Sequence, residues 1–283
     1  MSRKPCFGPV FAIAVAAALP GAARAETWNT CAGFIDSLPA VLVTQGTWCL
    51  RKDLSTPQTS GDAITIAANN ITIDCNGYKV GGLGGGTGTT ARGIVAENRL
   101  NATVRNCGIR GFMTGLELTG LGGGHLVEDN RFDANRTIAM MVQGDGSLVR
   151  GNRILDTGGS DQGGVAYGIY TMFAVDVHDN IIDVVTPDSG DDDDTSVGIY
   201  VLANDRGTVR GNRVSVVDTL VGAGPYGIYL GSLGRMYITG NLVTGPGSGT
   251  GINCQNANTI AKDNMIIGFT IPTLGCTVSG NLP

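Results

Sequence analysis

The sequence predicts an all-β fold built by stacking: a parallel β-helix of three-strand coils, with roughly eight to nine rungs. Three observations predict it. Short β-prone runs recur between fixed turn residues: Ile199 to Leu202, Thr208 to Arg210 and Val214 to Val217 are separated by Ala203 to Gly207 and by Gly211-Asn212, and the plan returns at Gly227-Ile228-Tyr229, Gly240-Asn241 and Leu242-Val243. Each run is too short to bury a face alone, so one unit supplies one coil of a stack. An asparagine marks one turn of every coil, at Asn106, Asn130, Asn152, Asn180, Asn212, Asn241 and Asn264, with Asn281 opening a last partial coil. Asparagine suits that place because it tolerates left-handed backbone and its amide can hydrogen-bond to the copies above and below. Finally, alternation of two dominates the chain from Gly61 onward, and helical periodicity is absent there.

The asparagine intervals are 24, 22, 28, 32, 29, 23 and 17 residues, which gives a basic coil of 22. The excess sits between the third strand of one coil and the first strand of the next.

Taken in order, Arg3 and Lys4, the apolar run Val10 to Leu19 and Ala23-Arg24-Ala25 have the charged, apolar and small-residue regions of a secretory signal peptide over residues 1–25. Cleavage is expected before Glu26, and the mature protein is expected to be periplasmic or secreted. No later segment approaches the ~18 apolar residues of a membrane span. Residues 26–60 read as an N-terminal cap and lead-in strands. Thr30 would cap a short helix with Cys31, Phe34, Ile35 and Leu38 on one face, and Pro39 would stop it. That helix would lie as a lid over the first coil. Val41 to Val43 and Thr47 to Leu50 would lead into the stack. The β-helix proper occupies 61–283, opening with Ala63-Ile64-Thr65-Ile66, Asn70 to Gly77 and Tyr78-Lys79-Val80.

Composition agrees. The 45 glycines are about 16% of the chain against a usual ~7%, while 42% apolar residues are enough for a core, so the glycines mark turns in a folded chain. A formal net charge of -5 argues against a nucleic-acid partner, which needs a basic face. Removal of the signal leaves Cys31, Cys49, Cys75, Cys107, Cys254 and Cys276, an even set suited to an oxidising compartment. Proximity in the stack favours Cys31 with Cys49, Cys75 with Cys107 and Cys254 with Cys276.

The recurrent Gly-Ile-x and x-Val-x-x-Asn-x-Ile elements, as in Gly168-Ile169-Tyr170 with Val177-His178-Asp179-Asn180-Ile181-Ile182, resemble the right-handed parallel β-helix repeats of the pectate-lyase-like superfamily. The resemblance covers about Gly61 to Asn281. It implies a right-handed fold and a groove on one sheet, and leaves function open, since that superfamily includes lyases, hydrolases, epimerases, tailspikes, adhesins and non-catalytic proteins.

Aligned on the asparagine, Gly93, Gly115, Ala139, Gly168, Gly198, Gly227 and Gly251 begin the first strand of their coils. The next residue is apolar throughout (Ile94, Leu116, Met140, Ile169, Ile199, Ile228, Ile252) and points inward. The one after it, Val95, Glu117, Met141, Tyr170, Tyr200, Tyr229 or Asn253, points outward. Three tyrosines therefore stack on the outside of one sheet, and Tyr167 and Tyr226 add aromatics just before the same strands. They could serve as a platform for sugar rings, or merely pack on one another as aromatics in strands do. Insertions at Gly81 to Ala91, Thr157 to Ala166, Thr186 to Val197 and Thr219 to Tyr226 all enter beside this face, as the walls of a binding groove do.

Arg206 and Arg235 each lie six residues before their asparagine and should stack in adjacent coils, where a uronate carboxylate would fit between them. Asp188 and Asp191, Asp192, Asp193 and Asp194 form an acidic loop that could hold Ca2+ through oxygen ligands, or simply be solvated. A second outward column, Arg105, Glu128, Arg150, His178, Arg210, Thr239 and Lys262, reads as a surface charge ladder.

Three functions remain open on these residues. An enzyme acting on a uronate-containing polysaccharide, lyase- or epimerase-like, would use Tyr200 or Tyr229 as base or acid, Arg206 and Arg235 as cations, and Glu117 and Asp205 as groove carboxylates. The Asn-Thr-Asp and Gly-His-Gly pattern of polygalacturonases is missing, and the groove sheet has no lysine. A non-catalytic glycan-binding protein would use the tyrosine ladder alone. A structural rod would use neither, and the C-terminal end of the stack could join a second molecule.

Overall fold

The computed structural model describes residues 31–161, 164–186, 195–202, 206–216, 224–231, 234–255 and 258–282. The expected signal peptide, Thr30, Asp188, Asp191 to Asp194 and Asp205 lie outside the described residues.

Three strands open the described chain: β1 (Gly33–Ile35), β2 (Ala40–Leu42) and β3 (Gly46–Leu50). From there each coil contributes one strand to each of three parallel sheets. The first sheet, begun by β2, has ten strands; the second, begun by β1 and β3, has eleven; the third has nine. Among the described residues the one helical turn is a 3₁₀ segment at Leu83–Gly85. The chain is therefore an all-β solenoid, as its repeats require.

The core is a set of columns running along the axis. The first sheet contributes Ile94, Leu116, Met140, Ile169, Ile199, Ile228 and Ile252, paired in register and fully buried. The second contributes Val104, Val127, Val149, Val177, Val209 and Ile238. The third contributes Val80, Ile109, Phe132, Ile154, Ile182, Val214 and Val243. Like residues stack on like, so one coil's solution to packing is repeated by the next.

Glycine opens the first-sheet strands because two successive residues face the core there. A Cβ on Gly198 would stand 2.2 Å from Val214 Cγ1 of the third sheet, and one on Gly227 would stand 2.2 Å from Val243 Cγ1. The glycine-isoleucine pair thus turns inward together, and the residues on both sides of it, such as Tyr167 and Tyr170, emerge on the outer face.

The asparagine ladder is present and buried. Asn130, Asn152, Asn180, Asn212, Asn241 and Asn264 each accept, through Oδ1, from the amide of the preceding coil's ladder residue and donate through Nδ2 to a second-sheet carbonyl. The left-handed residue is the one ahead of it: Asp129, Gly151, Asp179, Gly211, Gly240 and Asp263. Asn106 consequently does not belong to the ladder. It is itself the left-handed residue, with φ 54, and Cys107 takes the ladder position, its amide donating to Asn130 Oδ1 at 3.0 Å.

The expected cap helix is not formed. Gly33–Ile35 is a strand, pairing in parallel with β3 as Gly33 with Trp48, Phe34 with Cys49 and Ile35 with Leu50. Four apolar residues over barely two turns, with a glycine among them, cannot sustain a helix against that edge. A Cβ on Gly33 would lie 2.6 Å from the Trp48 ring, so the glycine is what lets the strands close. The expected cysteine pairs are all present: Cys31–Cys49, Cys75–Cys107 and Cys254–Cys276 join neighbouring coils.

Candidate functional site

The outer face of the first sheet carries two in-register columns, one on each side of the inward pair. The column ahead of the glycine runs Asp62, Arg92, Thr114, Ile138, Tyr167, Val197, Tyr226 and Thr250. The column after the inward isoleucine runs Thr65, Val95, Glu117, Met141, Tyr170, Tyr200, Tyr229 and Asn253. From Thr65 to Asn253 the second column spans seven rung steps, about 34 Å at ~4.8 Å each.

Five tyrosines form one cluster on this face. Tyr200 and Tyr229 stack with ring centroids 5.4 Å apart and planes 11° apart, and Tyr170 lies 4.8 Å from Tyr200 at 34°. Tyr167 packs edge-on against Tyr170 and Tyr200, and Tyr226 edge-on against Tyr229. The sequence places these rings together and leaves open whether they present a platform for sugar rings or pack on one another. The stacked faces are turned toward one another along the axis, so the cluster presents ring edges and not open faces. The Tyr229 hydroxyl accepts from Gln255 Nε2 at 2.6 Å. The Tyr200 phenol lies where a Cβ on Gly231 would stand, 2.1 Å from its oxygen. Burial, then the neighbouring phenols Tyr200, Tyr170 and Tyr229, pushes the Tyr167 phenol up to about 12, and burial raises Tyr170, Tyr200 and Tyr226 as well. These four phenols therefore stay protonated at neutral pH.

The N-terminal end of the same face is ionic. Arg92 grips Asp62 through Nε at 2.8 Å and Nη2 at 3.2 Å, while its Nη1 donates to Glu117 at 3.0 Å and Glu97 at 3.1 Å. Burial works against the Arg92 cation, but the hydrogen bond to Asp62 and the charges of Glu117 and Asp62 outweigh it and hold the guanidinium above its ordinary value. A shallow cleft of about 290 Å³ opens beside this group, lined by Asp62, Thr65, Arg92, Val95, Glu97 and Arg99 among others. Arg92, Asp62 and Glu97 were missed from the sequence, although Asp62 and Arg92 are an opposite-charge pair in register one column ahead of the one followed.

Two of the insertions meet on the edge of this face. Thr87 Oγ1 donates to Asp161 Oδ2, tying the loop before the Arg92 strand to the loop before the Tyr167 strand across three rungs. Near the other two insertions, Thr195 Oγ1 donates to the Gly224 carbonyl at 2.8 Å.

The remaining candidates fall elsewhere. Glu117 lies three rungs from Tyr200, about 14 Å along the axis at ~4.8 Å per rung. Arg206 and Arg235 are exposed and stand two residues ahead of the paired second-sheet strands Thr208–Arg210 and Tyr237–Thr239. His178 is on the second sheet, as expected, with Nε2 against Thr208 Oγ1 at 2.6 Å. Among the described residues no group of three or more histidines, cysteines, aspartates or glutamates is placed to hold a metal ion, and no helix is long and apolar enough to cross a membrane.

No curated protein matches the chain by sequence. The structure is similar to the tailspike protein of E. coli bacteriophage HK620 in complex with pentasaccharide, at 13% identity and a TM-score of 0.50, covering 89% of this chain and 60% of the tailspike chain. The chain thus spans about 60% of the length of that tailspike chain. It is also similar to the A-module of the Azotobacter vinelandii mannuronan C-5 epimerase AlgE6, at 13% identity and a TM-score of 0.42, covering 88% of this chain and 79% of that one. A family model described as a right-handed β-helix region matches residues 58–218, more than half of the sequence. The chain belongs to the right-handed β-helix family.

Proposed function

We propose that the protein binds a polysaccharide along the outer face of the first sheet, outside the cytoplasm. The observation that carries this is the cluster of five tyrosines in register on one face, bordered by insertions that touch each other. Partly buried phenols combine apolar edges with hydrogen-bonding tips, the combination that amphipathic ligands such as sugars need. The HK620 tailspike, a protein of the same fold, holds a pentasaccharide. Three disulfides accord with an oxidising compartment.

The test is binding of the chain from Glu26 onward to a panel of polysaccharides, beside a Tyr170→Ala, Tyr200→Ala, Tyr229→Ala variant whose circular dichroism matches the parent. At about 1 kcal/mol per aromatic contact, the variant should bind roughly 100-fold more weakly. Equal binding by the two proteins would remove the tyrosine face from consideration and leave a structural rod.

The register of Arg206 and Arg235 favours a second reading, in which a uronate-containing chain is processed by lyase- or epimerase-like chemistry. Tyr200 or Tyr229 would move the proton, the two arginines would face the carboxylate, and Glu117 and Asp205 would assist. Binding without chemistry accounts for the geometry better. Burial keeps Tyr200 protonated, which suits a donor and not a base, and Glu117 is held by Arg92 at a distance from it. Ca2+ at Asp191 to Asp194 belongs to the processing reading. An unsaturated or epimerised product that appears with the parent protein and not with Tyr200→Phe would restore that reading.

A further inference from the structure

The charge on the tyrosine face has a direction that narrows the ligand. From Ile138 to Thr250 in one column and from Met141 to Asn253 in the other, every residue is uncharged. The phenols there act as neutral hydrogen-bonding groups. Toward the N-terminal end, the nearest ionic group on the face sets three carboxylates, Asp62, Glu97 and Glu117, against the single guanidinium of Arg92. An extended chain lying along the axis would run from the neutral half into that excess of negative charge. The whole protein adds to it with a formal net charge of -5. A polyanion is therefore repelled at long range and finds in the two columns of this face no cation but Arg92, which three carboxylates already engage. The exposed Arg206 and Arg235 stand ahead of second-sheet strands, on the rim.

We infer that the polysaccharide held on the tyrosine face is a neutral one, and that this face discriminates against uronate-rich chains. The inference rests on the binding proposed above and names the ligand class for that same site. Its physical basis is unfavourable desolvation: a carboxylate brought onto partly buried tyrosines loses water and gains no counter-charge.

The experiment uses a matched pair of ligands. The protein from Glu26 onward is screened against neutral polysaccharides (a glucan, a galactan, a mannan, a xylan) and against polygalacturonate and alginate. Whichever chain binds is then compared in its neutral and C6-carboxylate forms, interconverted by carboxyl reduction or selective oxidation. The expected result is that the neutral form binds at least ~5-fold more tightly at low salt, and that added salt narrows the gap by screening the repulsion. Glu117→Gln should narrow it as well. Tighter binding of the carboxylate form, affinity for it that falls with salt, or equal affinity for both forms overturns the inference while leaving polysaccharide binding intact. Loss of uronate affinity in an Arg206→Ala, Arg235→Ala variant would overturn it by the same route. Failure of every polysaccharide to bind removes the binding proposal itself, and the inference with it.

Discussion

Asn212→Ala tests the reasoning about what holds the coils in register. Asn212 is 1% exposed, in the middle of the ladder. Its Oδ1 accepts from the Asn180 amide at 2.9 Å and from Asn180 Nδ2 at 3.0 Å; its Nδ2 donates to the Val177 carbonyl at 2.9 Å and to Asn241 Oδ1 at 3.0 Å. Not every partner is stranded when the side chain goes. Asn180 Nδ2 still reaches the Val149 and His178 carbonyls, and Asn241 Oδ1 still accepts from the Asn212 amide. The stranded group is the Asn180 amide, in a column with no access to water, while the Val177 carbonyl remains in the parallel ladder that pairs Val177 with Val209 and His178 with Arg210. A buried group deprived of its partner costs about 1–3 kcal/mol, and that is the loss expected. Asn281→Ala, at the exposed end of the same ladder, strands the Asn264 amide in the same way, but water can replace the lost acceptor, so about 1 kcal/mol is expected. Guanidinium denaturation followed by far-ultraviolet circular dichroism measures both variants against the parent, and comparing them within one array cancels most departures from two-state behaviour. If Asn212→Ala costs no more than Asn281→Ala, burial of the ladder is not what makes it stabilising, and the reasoning fails.

Two further outcomes are expected. Gly227→Ala brings a Cβ within 2.2 Å of Val243 Cγ1 and 2.6 Å of the Gly251 carbonyl oxygen, so overpacking should cost about 1–3 kcal/mol in thermal or chemical denaturation and weaken any ligand of the adjoining Tyr226 and Tyr229; a neutral substitution would mean the strand start is not clamped against the third sheet. Tyr167, pushed from an ordinary 10.0 to about 12, favours its neutral form in the fold, so its contribution to stability is complete below pH 10 and is lost as pH rises through about 12. Ultraviolet difference titration should place that phenol above the others, and Tyr167→Phe should shallow the alkaline loss of stability; a slope unchanged by the substitution would contradict the burial of the ring.

The sequence errors have specific causes. At Cys31 to Leu38 the apolar spacing of one helical face was real, but the deciding partner, β3, lies beyond the local window. At Asn106 the spacing points one position ahead of the ladder residue, because a left-handed asparagine and a ladder asparagine look alike in a sequence. Structure separates them by pairing Cys107 with Asn130. Glu117 was expected as a groove carboxylate, and its neutralisation by Arg92 joins residues of different columns in successive rungs, a contact that following one column does not reveal.

By itself the sequence determined the solenoid, the three sheets, the inward and outward columns, the disulfide pairs and the collection of tyrosines on one face. Each of these follows from a period-two pattern repeated in register, in which local chemistry and global position carry the same information. Only the tertiary structure decided how the tyrosine rings are turned, that Arg92 gathers three carboxylates, and that the first described segment is a strand. Those outcomes depend on the angle at which neighbouring coils present their side chains and on which strand edge is available, and neither quantity is written in the order of residues along a single coil.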